Sequence, residues 1–245
     1  DGARSLGVVN VVGSSIARES AEVIYTRAGP EISVASTKAF TTQVAALLLA
    51  SVKLGLLRGA LPEERARALC AGLARLPEQL EALLPQVEKQ ARLLAPRLEK
   101  VTGALYLGRG YGYPLALEGA LKLKEITYLH AEGYAAGEMK HGPIALVHPR
   151  TAVVVVAPRD RLRTKTLGNV EEVKARDGIV IALATEGDTE VAAQADRVIF
   201  LPPAAPLLQP LLAAVPMQLL AYHIALRRGC DVDQPRNLAK SVTVE

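Results

Sequence analysis

Between Leu121 and Pro143 the chain reads LKLKEITYLHAEGYAAGEMKHGP, which crowds Lys122, Lys124, Glu125, Glu132, Glu138, Lys140 and His141 into one short stretch. Carboxylates beside amines and an imidazole are the groups that move protons near neutral pH. Glu118, Lys122 and Glu125 stand at i, i+4 and i+7, so a helix would place them on one face. Leu115, Ala116, Leu117, Ala120, Leu121 and Leu123 leave little of that helix polar, and a charged stripe on a largely buried helix faces a cleft or a partner. A carboxylate held beside a lysine there is a base of controlled pKa, which makes Glu125 the candidate base and Lys122 its neighbour. The competing reading is a surface ion-pair ladder worth under ~1 kcal/mol per pair. His141 precedes Gly142-Pro143, a turn signal that leaves the imidazole on a loop, where it serves as a proton shuttle or is simply structural.

Two further stretches invite a ligand. GRGYG, at 108–112, joins an apolar run to a helix opened by Pro114, and a strand, a glycine turn and a helix N-terminus can hold an anion or merely pack tightly. The tail GCDVDQPRNLAKSVTVE carries Arg236 and Lys240 in a segment that ends β-branched, so it is expected to dock. A docked tail that delivers cations suits an anionic ligand or a carbonyl; a packing tail is the alternative.

The elements that must position these residues are legible from periodicity. GVVNVV at 7–12, AVVVVA at 152–157 and GIVIALA at 178–184 are unbroken β-branched runs, as buried parallel strands are, with GALYLG at 103–108 and RVIFLP at 197–202 as weaker candidates. Helical patterns lie between them, which makes the class α/β. Residues 38–100 read as helical throughout, with Pro62, Pro77, Pro85 and Pro96 marking breaks or first turns in a hairpin that joins two α/β units. An internal repeat relates Leu6–Glu31 to Asp177–Ala205, each a strand, a polar turn and a short acidic segment followed by a long apolar helix. The second copy is preceded by about 75 residues (178 minus 103) of strand and helix pattern that the first lacks, so the chain is expected to miss the upstream part of its first unit. The expected division is 1–60, the end of a first unit; 61–100, a helical connector; 101–228, a second unit; and 229–245, a docked tail.

Composition narrows the classes. Charged residues are 22% of the 245 and the net charge is +4 without a basic tract; aromatics are 4% with no Trp, so nucleic acid is not implied. The residues contain no metal-ligand cluster and no GxGxxG unit of the dinucleotide type, so no cofactor is expected. Cys70 and Cys230 are isolated and read as buried thiols in a reducing compartment. No stretch is uninterruptedly apolar over a membrane's width, the run 44–57 being broken by Lys53 and Gly55, and DGARSLGVVNVVG has no leader pattern. The expected location is cytoplasmic, with no membrane partner.

Taken together, ALEGALKLKEITYLHAEGYAAGEMKHGP, GPEISVASTKAFTTQ and DVDQPRNLAKSVTVE resemble the isomerase half of the glucosamine-6-phosphate synthases, over essentially the whole chain. The resemblance implies two sugar-isomerase (SIS) domains with parallel sheets flanked by helices. It implies conversion of fructose 6-phosphate and ammonia to glucosamine 6-phosphate, without a cofactor, in a homodimer whose ammonia comes from an N-terminal glutaminase domain. By resemblance Glu125 is the base between sugar C1 and C2, with Lys122 beside it. His141 opens the sugar ring from the adjacent subunit, and Lys240 engages the open-chain ketone as a Schiff base, with Arg236 nearby. Val34, Ser36 and Ala239 resemble sugar contacts. The family's phosphate-cradling SQSGE(T) loop and CGTS turn do not occur in this sequence, so the chain alone is expected to be weakly active or inactive. Two other readings stay open: a noncatalytic phosphosugar-binding SIS module, and a simple phosphosugar isomerase.

Overall fold

The computed structural model describes residues 2–239, which form two parallel sheets tied together by long helices. The smaller sheet pairs β1 (Leu6–Val9) with β2 (Glu22–Tyr25), linked by the short helix α1 (Ser15–Glu19). Helix α2 (Lys38–Leu57) and helix α3 (Glu63–Leu98) follow. The larger sheet is entirely parallel, in the order β4-β3-β5-β6-β7: β3 (Gly103–Gly108), β4 (Ala131–Ala135), β5 (Thr151–Ala157), β6 (Ile179–Thr185) and β7 (Arg197–Leu201). Its crossovers run through α4 (Gly112–Thr127), α5 (Arg163–Lys174) and α6 (Thr189–Gln194), and α7 (Gln209–Arg227) closes the layer.

The runs at 152–157 and 178–184 are strands because both faces of the large sheet are covered, whereas GVVNVV, expected to be a buried strand over 7–12, is a strand of the small sheet that ends at Val9, with Val11 and Val12 exposed beyond it. Along β5, Ala152, Val154 and Val156 pack with Tyr106, Leu115, Met217 and Leu220 on the side of α3, α4 and α7. Val153, Val155 and Ala157 face Leu107, Met139, Val170 and Val173 on the side of α5. A strand buried on both faces has no reason to alternate polar with apolar.

Three expectations are corrected. The 38–100 region breaks between α2 and α3, where Pro62 is the N-cap of α3, but not at its other prolines: α3 is one helix through Pro77, Pro85 and Pro96. Leu69, Leu76, Leu83, Val87, Ala91 and Leu94 form its buried stripe, and packing along that stripe outweighs the backbone hydrogen bonds the prolines forfeit. Cys70 is exposed and Cys230 half-buried, because Cys70 falls off the same stripe. Pro114 is the third residue of α4 and not its first. In addition, α2 and α7 are long and apolar enough, by length and composition alone, to cross a membrane; α7 is a mostly buried core helix, whereas α2 is largely exposed.

Two glycines seat the helix that carries the charged stripe. A Cβ on Gly108 would stand 2.0 Å from the Gly112 carbonyl oxygen, so the tight turn into α4 requires glycine there. A Cβ on Gly119 would meet Met217 Sδ at 2.5 Å and the Tyr106 ring at 2.7 Å, so its absence lets α4 lie close against both α7 and β3.

Candidate active site

Helix α4 runs back along the large sheet from the carboxyl end of β3 and stops at Tyr128, which takes the left-handed conformation at φ 60° and closes the helix. Its last two turns present Lys122 and Glu125. Lys122 Nζ lies 2.7 Å from Glu125 Oε2 and 3.6 Å from Glu118 Oε1, and the lysine is only 3% exposed. The Lys122 ammonium is thus within ion-pair distance of both carboxylates, and neither Glu125 Oε2 nor Glu118 Oε1 has any other partner among the described residues. Burial pushes the Glu118 carboxyl above the ordinary carboxylate range; the Lys122 ammonium opposes the shift and the like charge of Glu125 reinforces it. Two carboxylates around one buried ammonium is an arrangement able to hold and release a proton.

Lys122 forms one wall of a cleft of about 190 Å³. Residues 33–37, which follow the carboxyl end of β2, supply a second wall through Ser33, Ala35 and Thr37, and Gln218 and Tyr222 of α7 supply a third. The tail closes it: Val34 N–H donates to the Asp233 carbonyl at 2.9 Å, and Ser33 Oγ donates to the Val232 carbonyl at 2.9 Å. The cleft therefore lies beyond the carboxyl ends of the small sheet, where parallel α/β sheets place their ligands. A second pocket, at the carboxyl edge of the large sheet beside Gly112, has room for only about 40 Å³, is walled mainly by apolar side chains and holds no lysine–carboxylate pair. The chemistry favours the Lys122 cleft.

The expected site residues fall into three groups. Lys122 lines the cleft and Glu125 is paired with it, whereas Val34 and Ser36 belong to the wall segment 33–37 but alternate with the residues that line it. Arg236 docks close by: its backbone N–H donates to Tyr128 Oη at 2.8 Å, and its guanidinium stacks 4.2 Å from the Tyr128 ring centroid, at the end of the helix that bears Glu125. Ala239 is exposed, and Lys240 lies outside the described residues. His141 is not brought to the cleft. It ends a 3₁₀ turn, Ala136–His141, that follows β4 at the carboxyl edge of the large sheet. Glu125 sits near the opposite edge, because the 16 residues of α4 run antiparallel to the strands over roughly 24 Å. The imidazole is 75% exposed, with Glu138 Oε2 at 3.9 Å its nearest acidic group.

A chain of polar contacts fixes the turn that carries His141. Arg109 Nε donates to Asn169 Oδ1 at 3.0 Å, Asn169 Nδ2 donates to Glu172 Oε2 at 3.1 Å, and Glu172 Oε1 pairs with Lys140 Nζ at 2.7 Å. Burial would raise the Glu172 carboxyl, but the hydrogen bonds from Lys140 and Asn169 hold it below its usual value. Gln218 and Tyr222 were not among the sequence candidates. Their signal was partial: Gln218 and Tyr222 stand four residues apart on one face of α7, but the same helix carries Gln209 and His223, which are buried.

Comparison with known proteins follows from this geometry. The SIS domain family model matches residues 1–53 and 98–228, leaving out the stretch that α3 occupies. Glutamine–fructose-6-phosphate aminotransferase [isomerizing] of Thermus thermophilus is 54% identical over 244 residues, and that of Chlorobaculum tepidum 51%; each match takes in 100% of this chain, which spans 40% and 39% of those relatives. Among solved structures, the C-terminal domain of glucosamine-fructose-6-phosphate aminotransferase from Francisella tularensis superposes with a TM-score of 0.90 at 39% identity, over 94% of this chain and 65% of that one. A glucosamine-6-phosphate deaminase from Thermotoga maritima has the same fold, with a TM-score of 0.72 at 22% identity over 98% of this chain and 66% of that one.

Proposed function

Because the chain belongs to the SIS-domain family, we propose that it is the isomerase half of an enzyme that makes glucosamine 6-phosphate from fructose 6-phosphate and ammonia. The observation that carries the reading is the buried Lys122–Glu125 pair, at 2.7 Å, beside a cleft at the carboxyl end of a parallel sheet. A module that only binds a phosphosugar has no use for a desolvated carboxylate held against a lysine. The similarity to aminotransferases over the full length of this chain supports the same choice.

The mechanism assigns each group one task. Once the sugar ring is open, ammonia adds to the C2 carbonyl and water leaves, forming a C2 imine. Glu125 takes the proton from C1 and returns one to C2, so the double bond moves to C1–O1 and the amino sugar results. Lys122 stabilises the carboxylate before the transfer and the developing enolamine oxygen during it. Lys240 serves the addition of ammonia as an amine nucleophile: it forms the first imine at C2, with loss of the one water, and ammonia then displaces it, so that the lysine leaves as the free amine. Val34, Ser36 and Ala239 contact the sugar, and Arg236 holds the tail beside it. His141 opens the ring, and its distance from Glu125 along the chain's own fold supports its delivery by a second copy in a homodimer. The residues 1–60 and 101–228 are then parts of two SIS domains, 61–100 the connector and 229–245 a tail that seals the cleft. A glutaminase domain elsewhere in the full-length protein supplies the ammonia, in the cytoplasm.

The test is direct. The natural full-length protein, given fructose 6-phosphate and ammonia without glutamine, is expected to form glucosamine 6-phosphate, detected by mass. Conversion to glucose 6-phosphate alone would replace this reading with that of a simple phosphosugar isomerase.

A further inference from the structure

Three of the buried side-chain polar atoms that lack a hydrogen-bond partner among the described residues lie along the α4–α7 seam: Glu118 Oε1, Glu125 Oε2 and Gln218 Nε2. Native interiors satisfy nearly all such atoms, so a concentration of exceptions calls for a missing partner. The two carboxylates have the Lys122 ammonium within ion-pair distance, whereas the amide nitrogen still needs an acceptor. Gln218 lines the same cleft as Lys122, one helical turn before Tyr222. We propose that Gln218 is a substrate-binding residue of this cleft, its amide hydrogen-bonding a hydroxyl of the sugar beside Lys122. The inference rests on the phosphosugar reading above and extends it to a residue that the sequence candidates omit.

The chemistry fits a polyhydroxylated ligand better than a single anion. A hydroxyl both donates and accepts, so neighbouring hydroxyls satisfy the carboxylates and the amide together. The terminal torsion of glutamine is broad, so the group can turn toward a ligand at little cost. Among the described residues the Gln218 amide nitrogen has no hydrogen bond to lose, which leaves it free to serve a ligand.

That last point separates binding from structure. In Gln218→Met, close in shape but without the donor, the KM for fructose 6-phosphate is expected to rise about 10-fold, the loss of one hydrogen bond made in both ground and transition states, with kcat nearly unchanged. The thermal midpoint of the free variant should stay level or rise, because an unsatisfied buried donor has been removed. Gln218→Leu, a second donor-free side chain, should move KM in the same way and so guards against a packing fault of the first. The readout is initial rates with ammonia for the natural full-length protein and both variants, alongside thermal unfolding without ligand. An unchanged KM in variants of an active protein would overturn the role of Gln218 alone, and so would a KM that rises only where the midpoint falls. A wild-type protein that neither binds nor converts fructose 6-phosphate would instead overturn the phosphosugar reading on which the inference stands.

Discussion

Lys122, with carboxylates at 2.7 and 3.6 Å and almost no exposed surface, couples the chemistry of the site to its stability. Removing one partner of a buried charge cluster strands the others, at a cost of about 3 to 5 kcal/mol. In Lys122→Met the Glu118 carboxyl, already raised by burial, rises further above its reference value of 4.5. A raised carboxyl favours the folded state fully below its unfolded pKa and loses that contribution as pH climbs through the folded value. The variant should therefore lie closest to wild type near pH 5 and fall furthest below it near pH 8, as measured by urea unfolding at both values. A deficit independent of pH would mean that packing, and not charge, is what the lysine supplies. The charged stripe was legible in the sequence because spacing alone puts Glu118, Lys122 and Glu125 on one face. The direction of that face and its partners on α7 were not, since they depend on how closely Gly119 lets two helices approach.

At the scale of elements, the carboxyl edge of the large sheet is braced by an ion pair unrelated to the cleft. Arg163 at the start of α5 clamps Asp188 with Nε at 2.5 Å and Nη2 at 2.6 Å, while Asp188 also caps α6 through the Val191 N–H. The Arg163 guanidinium, followed by that backbone hydrogen bond, holds the Asp188 carboxyl below its usual 3.8 against the opposing effect of burial. A depressed carboxyl stabilises the fold above its unfolded pKa, and that contribution is lost as pH falls through the folded value. Asp188→Ala should cost about 3 kcal/mol at pH 7 and progressively less below pH 4, read from unfolding midpoints. An equal loss at all pH values would assign the effect to the cap alone. The strands of this sheet were legible where they are apolar: GALYLG is β3 residue for residue. β4 was not, because AEGYA is a short edge strand with no apolar run, recognisable only from its pairing with β3. The continuity of α3 escaped the sequence for the opposite reason: a local rule about proline was overridden by a buried stripe that runs from Ala66 to Leu98. Pro85 is exposed within that helix, and Pro85→Ala restores an N–H to it, so a stabilisation of up to about 3 kcal/mol is expected in the thermal midpoint.

Across the whole molecule, the separation of Glu125 and His141 to opposite edges of one sheet makes a specific demand on assembly. If a second copy delivers the imidazole, a site needs Glu125 from one chain and His141 from the other. Full-length Glu125→Gln and His141→Ala proteins, each inactive alone, should regain part of the activity when co-expressed, because half of the sites in a mixed dimer would carry both native groups. Activity that stays absent in the mixed species would return His141 to its own chain or to a structural role. The α/β class was read from periodicity, whereas the opposed placement of the two groups emerges only once β3, α4 and β4 are laid in three dimensions.

The central claim is that Glu125 moves the proton between C1 and C2. The most direct measurement is the rate of glucosamine 6-phosphate formation from saturating fructose 6-phosphate and ammonia by the full-length wild type and by Glu125→Gln, which keeps the shape of the side chain and removes its basicity. The account predicts a loss of kcat of about 10³-fold, with binding of glucosamine 6-phosphate retained. An undiminished kcat in a variant that still binds the sugar would contradict it.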